Sequence, residues 1–396
     1  MNFSRLSDPL FAACRPLRRA KKSSGFRAAR RRPYLLHALL AAVLIALVGP
    51  RPAFAWGDRA HAIITEEAIR RLPEPLQGLL DGEGTLARLK EASIAPDQRR
   101  EEIKADNPAE YQAERAKHFF DMDAITTEPP PFARFPHDRA AAEKQFGAAA
   151  FQLHGTAPWA AEEALKALTE ALSRGETEEV FRAAGDLAHF AADLHMPLHV
   201  SKNYDGQLSG NWGVHKAVDI GLVNRYADFY AAAVREGRTE VPFLEDAEGG
   251  LFEWIAQAHA RVPPILEAET AARRATGYSP GLEPAKDGSP EAADRARLKK
   301  EKEVDLDDLS REPVKAYYAA FKHELEARGS PEAMAMRDAA DHVAKLLYTA
   351  WVRAGKPASL EPAPAPAAPQ GVPIWFIGLT AVMFILLFWP RRRRTS

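Results

Sequence analysis

From residue 56 to about residue 356 the chain keeps to one pattern. Apolar residues recur three and four apart in stretches rich in Ala, Leu, Glu and Arg, and few runs alternate β-branched with polar residues. A spacing of three and four lines up one stripe of a helix, whereas a half-buried strand needs a period of two. The pattern predicts an all-α fold. Helices are expected at 60–72, at Leu153–Ser173 with its start marked by Thr156-Ala157-Pro158, at Glu178–Leu194 stopped by Pro197, and at 215–236, 247–272, 313–328 and 331–354. Residues 276–308 turn to Gly, Pro and charge and read as a flexible insertion in a single domain spanning 56–356. A hydrophobic content of 46% is enough for a real core and excludes a disordered tail.

The two ends read differently. A basic region ending Arg30-Arg31-Arg32, an apolar run from Tyr34 to Val48 and the small-x-small triplet Ala53-Phe54-Ala55 make 1–55 an expected export signal, cut before Trp56. Arg31 to Leu36 loosely fits a twin-arginine signal, and ordinary Sec export stays open beside it. Near the other end, Pro373 to Trp389 is apolar, flanked by Trp375 and Trp389 and followed by four arginines. It is expected to cross the membrane as a helix at 373–390, with 391–396 as a basic cytoplasmic tail, 357–372 as a Pro/Ala-rich spacer and the main domain outside the cytoplasm. Lys plus Arg total 53 against 54 Asp plus Glu, so overall charge selects no partner. The only cysteine, Cys14, lies in the expected signal. Any metal held by the mature domain must therefore sit on nitrogen and oxygen.

Such donors are grouped. In His189-Phe-Ala-Ala-Asp193-Leu-His195-Met-Pro197-Leu-His199, His189 and Asp193 lie four apart and share one helix face, while His199 follows a turn at Pro197. His215 and Asp219 repeat the four-residue spacing after Gly210-Asn211-Trp212-Gly213. His61, Asp97 and His118 lie upstream. Each of these alone is ordinary surface or core chemistry. Two pairs at the same spacing among only 12 histidines point to metal ligation.

The string His-x-x-x-Asp-x-His-x-Pro-Leu-His, the upstream Trp56-Gly-x-x-x-His61 and the later His215-x-x-x-Asp219 resemble the superfamily of zinc-dependent phospholipases C and single-strand nucleases. The resemblance runs from Trp56 to Asp219 in order. It implies an all-helical fold and three Zn2+ ions: one held by Asp97, His118, His189 and Asp193, a second by His199, His215 and Asp219, and a third by His61, the bridging Asp193 and the free amine and carbonyl of Trp56. The signal rule separately places cleavage just before Trp56, which would free that amine.

The chemistry implied is phosphodiester hydrolysis by a metal-activated water, with Asp97 either a ligand only or also the catalytic base. His195 would face away from His189 and Asp193 and serve a structural role, and Tyr204-Asp205-Gly206 is either cleft lining or a turn. Phospholipase C-like action is slightly preferred because of the expected anchor. A single-strand nuclease or nucleotidase is the alternative, so the partners expected are a phospholipid or a single-stranded nucleic acid or nucleotide, and the membrane. No obligate protein partner is evident. From a different class, a non-catalytic, metal-stabilised surface binding protein would use the same donors structurally. Gly213-Val214-His215 leans toward the lipase branch and Asp219, where that branch uses Glu, leans away from it.

Overall fold

The structure is a computed structural model and describes residues 56–80, 84–104, 107–236, 240–278 and 312–359. Among these, all regular structure is helical and no strand occurs. The expected signal at 1–55, the helix at 373–390, the tail at 391–396 and most of the 276–308 insertion and 357–372 spacer lie outside the described residues. No helix among those described is long and apolar enough to cross a membrane.

The centre is the helix Thr177–Asp193. From Val180 onward it is buried almost all round, and Ala183, Ala184, Gly185, Ala188, Ala191 and Ala192 give it a thin profile. Small side chains let neighbouring helices approach closely, and an apolar circumference has nowhere to go but the core. Ala157–Arg174, Pro331–Arg353, Thr85–Ala92, Asp58–Arg71 and Ala95–Ile103 all pack against it. Ala157–Arg174 precedes it through a tight link in which Gly175, at φ 70°, ends the first helix while Glu176 N–H closes on the Ala171 carbonyl. That left-handed stop is cheap only without a Cβ. The long Pro331–Arg353 helix also packs on Asp58–Arg71, Ala157–Arg174 and Ala227–Arg235. Polar residues on the central helix therefore lie deep in the molecule and need partners there.

Three expected helices are interrupted. Leu153–Ser173 is two helices, Ala148–His154 and Ala157–Arg174, broken at Gly155 with φ 100°. A Cβ at Gly155 would sit 1.8 Å from the Phe119 carbonyl oxygen, so the break lets the segment carrying His118 pass. The 247–272 stretch divides into Ala247–His259 and Val262–Thr276, because Pro263 and Pro264 lack the N–H groups that a continuous helix would need. The 215–236 stretch becomes Val214–Lys216, a π-helical segment Ala217–Leu222, Val223–Arg225 and, past Tyr226, Ala227–Arg235. Shorter helices such as Thr85–Ala92, Ala95–Ile103 and Pro108–Ala116 were not expected. Two turns give too few apolar repeats for the period to register.

Candidate metal centre

Six stretches of chain deliver the grouped residues. His61 lies on Asp58–Arg71, and Asp97 in the first turn of Ala95–Ile103. His118 follows Pro108–Ala116, and His189 and Asp193 end the central helix. His199 closes a 3-10 turn that starts at Pro197, and Asp219 lies in the π segment just after His215. All are buried except the half-buried His215.

Asp193 is the hub. Its carboxylate lies 3.2 Å from His189 Nε2, 3.3 Å from His118 Nδ1, 3.3 Å from His199 Nδ1 and 3.6 Å from His61 Nε2. Around the first two, His118 Nδ1 is 2.9 Å from His189 Nε2 and 3.4 Å from Asp97 Oδ1, and His189 Nε2 is 4.0 Å from Asp97 Oδ1. Across the cluster, His199 Nε2 and His215 Nε2 are 3.0 Å apart, and His215 Nε2 is 3.8 Å from Asp219 Oδ2. Donor atoms thus converge in three groups able to hold a metal ion: His61, His189 and Asp193; Asp97, His118 and His189; and His199, His215 and Asp219.

The donors fit a divalent cation better than they fit each other. Both ring nitrogens of His61, both oxygens of Asp97 and Asp193, His199 Nδ1 and Asp219 Oδ1 are buried without a hydrogen-bond partner, although native interiors satisfy nearly all such atoms. Ligands about 2.0–2.1 Å from a tetrahedral ion lie roughly 3.3 Å from one another, and most separations above scatter about that value. The tautomer of His189 points the same way. A carbonyl can only accept, so Nδ1–H donates to Ser93 O at 2.8 Å and Nε2 turns its lone pair to the cluster.

Charge reinforces the argument. Burial opposes ionisation of Asp193, but the imidazoles of His189 and His199 hold its carboxyl well below the usual range. Burial, then the carboxylates of Asp193 and Asp97, push Asp219 well above it. Burial lifts Asp97 to about 6, although His189 and the Arg100 guanidinium pull downward. Burial drops His118 to about 3 and, with His189 beside it, holds His61 well below an ordinary imidazole. Asp97 and Asp219, which burial holds toward their neutral forms beside the neutral rings of His118 and His61, ionise fully only next to an added positive charge.

The nine residues singled out in the sequence do meet in space. Trp56 is fully buried, its indole N–H donates to Ala192 O at 3.1 Å, and its backbone N–H donates to the Asp219 carboxyl. The expected third site pairs Trp56 with His61 and Asp193. Here the Trp56 backbone reaches Asp219, while His61 groups with His189 and Asp193. His195 is turned away: its Nδ1–H donates to Ala191 O at 2.7 Å, leaving Nε2 to accept from His342 at 2.6 Å.

Four further residues contribute; sequence reading missed Ser93, Arg100 and Gly185 and left Asp205 open between cleft lining and a turn. Ser93 orients His189, and Asp205 accepts from the N–H groups of Gly213 and His215 at 3.1 and 3.3 Å. Arg100 NH1 lies 3.0 Å from Asp97 Oδ1, an ion pair outside hydrogen-bond direction. Its signal was available, since Asp97 and Arg100 are three apart on one helix. The fourth is Gly185, whose Cβ would lie 2.5 Å from the backbone of Ala92, next to Ser93. Gly185→Ala is expected to push that backbone away, costing about 1–3 kcal/mol and loosening the His189 anchor. Thermal melts with and without chelator should show both a lower metal-free melting temperature and a smaller gain on metal loading. Melts identical to wild type would mean that the contact is not tight.

No family model matches the chain, and no curated protein matches it.

Proposed function

We propose that this chain is a zinc-dependent phosphoric-ester hydrolase whose leading substrate is a phosphodiester, with phospholipase C-like action preferred over single-strand nuclease action and three ions as the full complement. The observation that carries the reading is the Asp193 carboxylate set among four imidazoles, with unpartnered donor atoms of both kinds facing one another in the core. A purely structural zinc closes four ligands once; eight grouped residues in three sets, two of which share His189, exceed that need.

When bound, divalent ions in such a site supply Lewis acidity and bring the pKa of a water near neutrality. The chain's own residues then divide the remaining tasks. Ser93 fixes the His189 ring, and Asp205 fixes the start of the turn that carries His215. Asp97 presents Oδ1 to His118 and His189, and its second oxygen, also without a hydrogen-bond partner, is the base that accepts a proton from the attacking water. Arg100 adds a fixed positive charge beside Asp97, suited to offset negative charge that grows on a phosphoryl group. The resemblance noted in the sequence supports the same reaction class.

The test is a parallel assay of the purified full chain, its metal content measured, on phosphatidylcholine vesicles and on single-stranded DNA. Hydrolysis of one substrate that disappears with chelator and returns with Zn2+ is expected. A metal-loaded protein that cleaves neither substrate would favour the binding-protein reading instead.

A further inference from the structure

We infer that Glu269 is a positioning residue for the His215/Asp219 pair, acting through Asn211 and Arg273 on the loop that delivers His215. The inference rests on the metal-centre reading above.

The loop from Ser201 to Gly213 joins two donors, His199 and His215, and has no regular structure to hold its shape. At its start Asp123 accepts from Ser201 Oγ at 3.1 Å and from the Lys202 N–H at 2.7 Å. At its end the ties run to the helix Val262–Thr276. Asn211 Nδ2 meets three acceptors there: Glu269 Oε2 at 2.6 Å, Thr270 Oγ1 at 2.8 Å and Leu266 O at 3.0 Å. A carbonyl and a carboxylate can only accept, so the amide is fixed with its NH2 toward the helix. The Asn211 backbone carbonyl receives the Val214 N–H at 3.0 Å, and Val214 begins the helical turn bearing His215.

Glu269 holds this end twice. It is completely buried, and every group on its carboxylate is a donor: Asn211 and Arg273 NH2 on Oε2, Arg273 Nε and the Tyr317 hydroxyl on Oε1. Arg273, so oriented, donates through NH1 to the Gly210 carbonyl at 2.5 Å. One buried charge thus fixes the Asn211 side chain directly and the Gly210 carbonyl through Arg273. A glutamine in its place would turn an NH2 toward donors whichever way it flipped. Tyr317 touches the same carboxylate but makes no contact of this kind with the loop, which separates loop positioning from simple satisfaction of the buried carboxylate.

The experiment uses the full chain, loaded with Zn2+ and titrated with a competing chelator, and counts ions retained per chain. Wild type, Glu269→Gln, Asn211→Ala, Tyr317→Phe, His215→Ala and the double variant E269Q/H215A are compared, with helical circular dichroism as a check of fold. Partners beyond the ligands typically change metal affinity 10–100-fold. Glu269→Gln and Asn211→Ala should each weaken one class of ion by about tenfold, Tyr317→Phe should match wild type, and E269Q/H215A should be no weaker than His215→Ala alone. Equal retention in wild type and both loop variants, or equal losses in Tyr317→Phe and Glu269→Gln, overturns the positioning role while leaving the metal centre standing. A wild-type chain that retains no ion removes the centre itself. Should Glu269→Gln lose helical signal, Asn211→Ala carries the comparison.

Discussion

Asp193→Asn is expected to strip the chain of more than one metal ion and to lower metal-dependent hydrolysis by about a thousandfold or more. The change keeps the shape of the side chain and removes only its charge and one acceptor. At this position that is decisive, because the carboxylate is completely buried and lies within 3.6 Å of imidazole nitrogens from His61, His118, His189 and His199. An amide would turn N–H donors toward nitrogens whose lone pairs should face a cation. Metal analysis of the purified variant gives the first readout and hydrolysis the second. Residues acting as one unit lose function together, so adding His189→Ala to Asp193→Asn should cost little beyond either change. Full metal content in Asp193→Asn would show that the hub is only an ion-pair network. The metal-free variant should also be less stable at neutral pH. The Asp193 pKa is depressed in the fold, so its contribution is present above the unfolded carboxylate pKa and lost only as pH falls through the folded value.

How much of this was legible beforehand depends on the range of each interaction. His189 and Asp193 were legible because a four-residue spacing on an α-helix fixes their common face within the sequence itself. His215 and Asp219 carry the same spacing, but Asp219 sits in a π segment whose wider turn no periodicity announces. Ser93, 96 residues from His189, acts through a carbonyl, a group that every residue possesses. Glu269 meets Asn211 only because the loop from Ser201 to Gly213 packs on the distant helix Val262–Thr276, so neither residue type nor spacing marks it. Gly155 and Gly185 looked like any other glycine until Phe119 and Ala92 passed beside them. By contrast, Pro263-Pro264 did announce its break, and an expected helix over 247–272 overrode a local signal that was correct. The all-helical class was legible because it rests on a period repeated throughout the domain.

Metal removal should destabilise the protein by an amount that depends on pH, and the direction of that dependence follows from the centre. In the metal-free fold, Asp97 titrates at about 6 against an ordinary value of 3.8, and Asp219 is raised further in the same direction. Between the unfolded and folded values the native state binds more protons than the unfolded state, so these groups make the metal-free fold less stable as pH rises. His118, lowered to about 3, contributes the opposite slope, with stability recovered as pH rises from about 3 to 6.5 and little change above that range. Metal ligation requires deprotonated donors, so the ions must displace protons from Asp97, Asp219 and His189, whose pKa burial lowers but Asp193, Asp97 and the Ser93 carbonyl together raise. Affinity should therefore fall as pH drops, by up to about tenfold per pH unit for each proton displaced, below about 6 for Asp97 and from a higher pH for Asp219 and His189. At pH 7.5, with free metal about a thousandfold above its dissociation constant, each of three sites adds about 4 kcal/mol, so chelation, which removes about 12 kcal/mol, should lower the melting temperature by roughly 20 °C. Melts of loaded and chelated protein between pH 5 and 7.5 should show that difference widening toward neutral pH, and calorimetry in buffers of different ionisation enthalpy should detect protons released on metal uptake. A difference that stays constant across this range, with no protons released, would mean that the buried carboxylates and imidazoles are already deprotonated without metal.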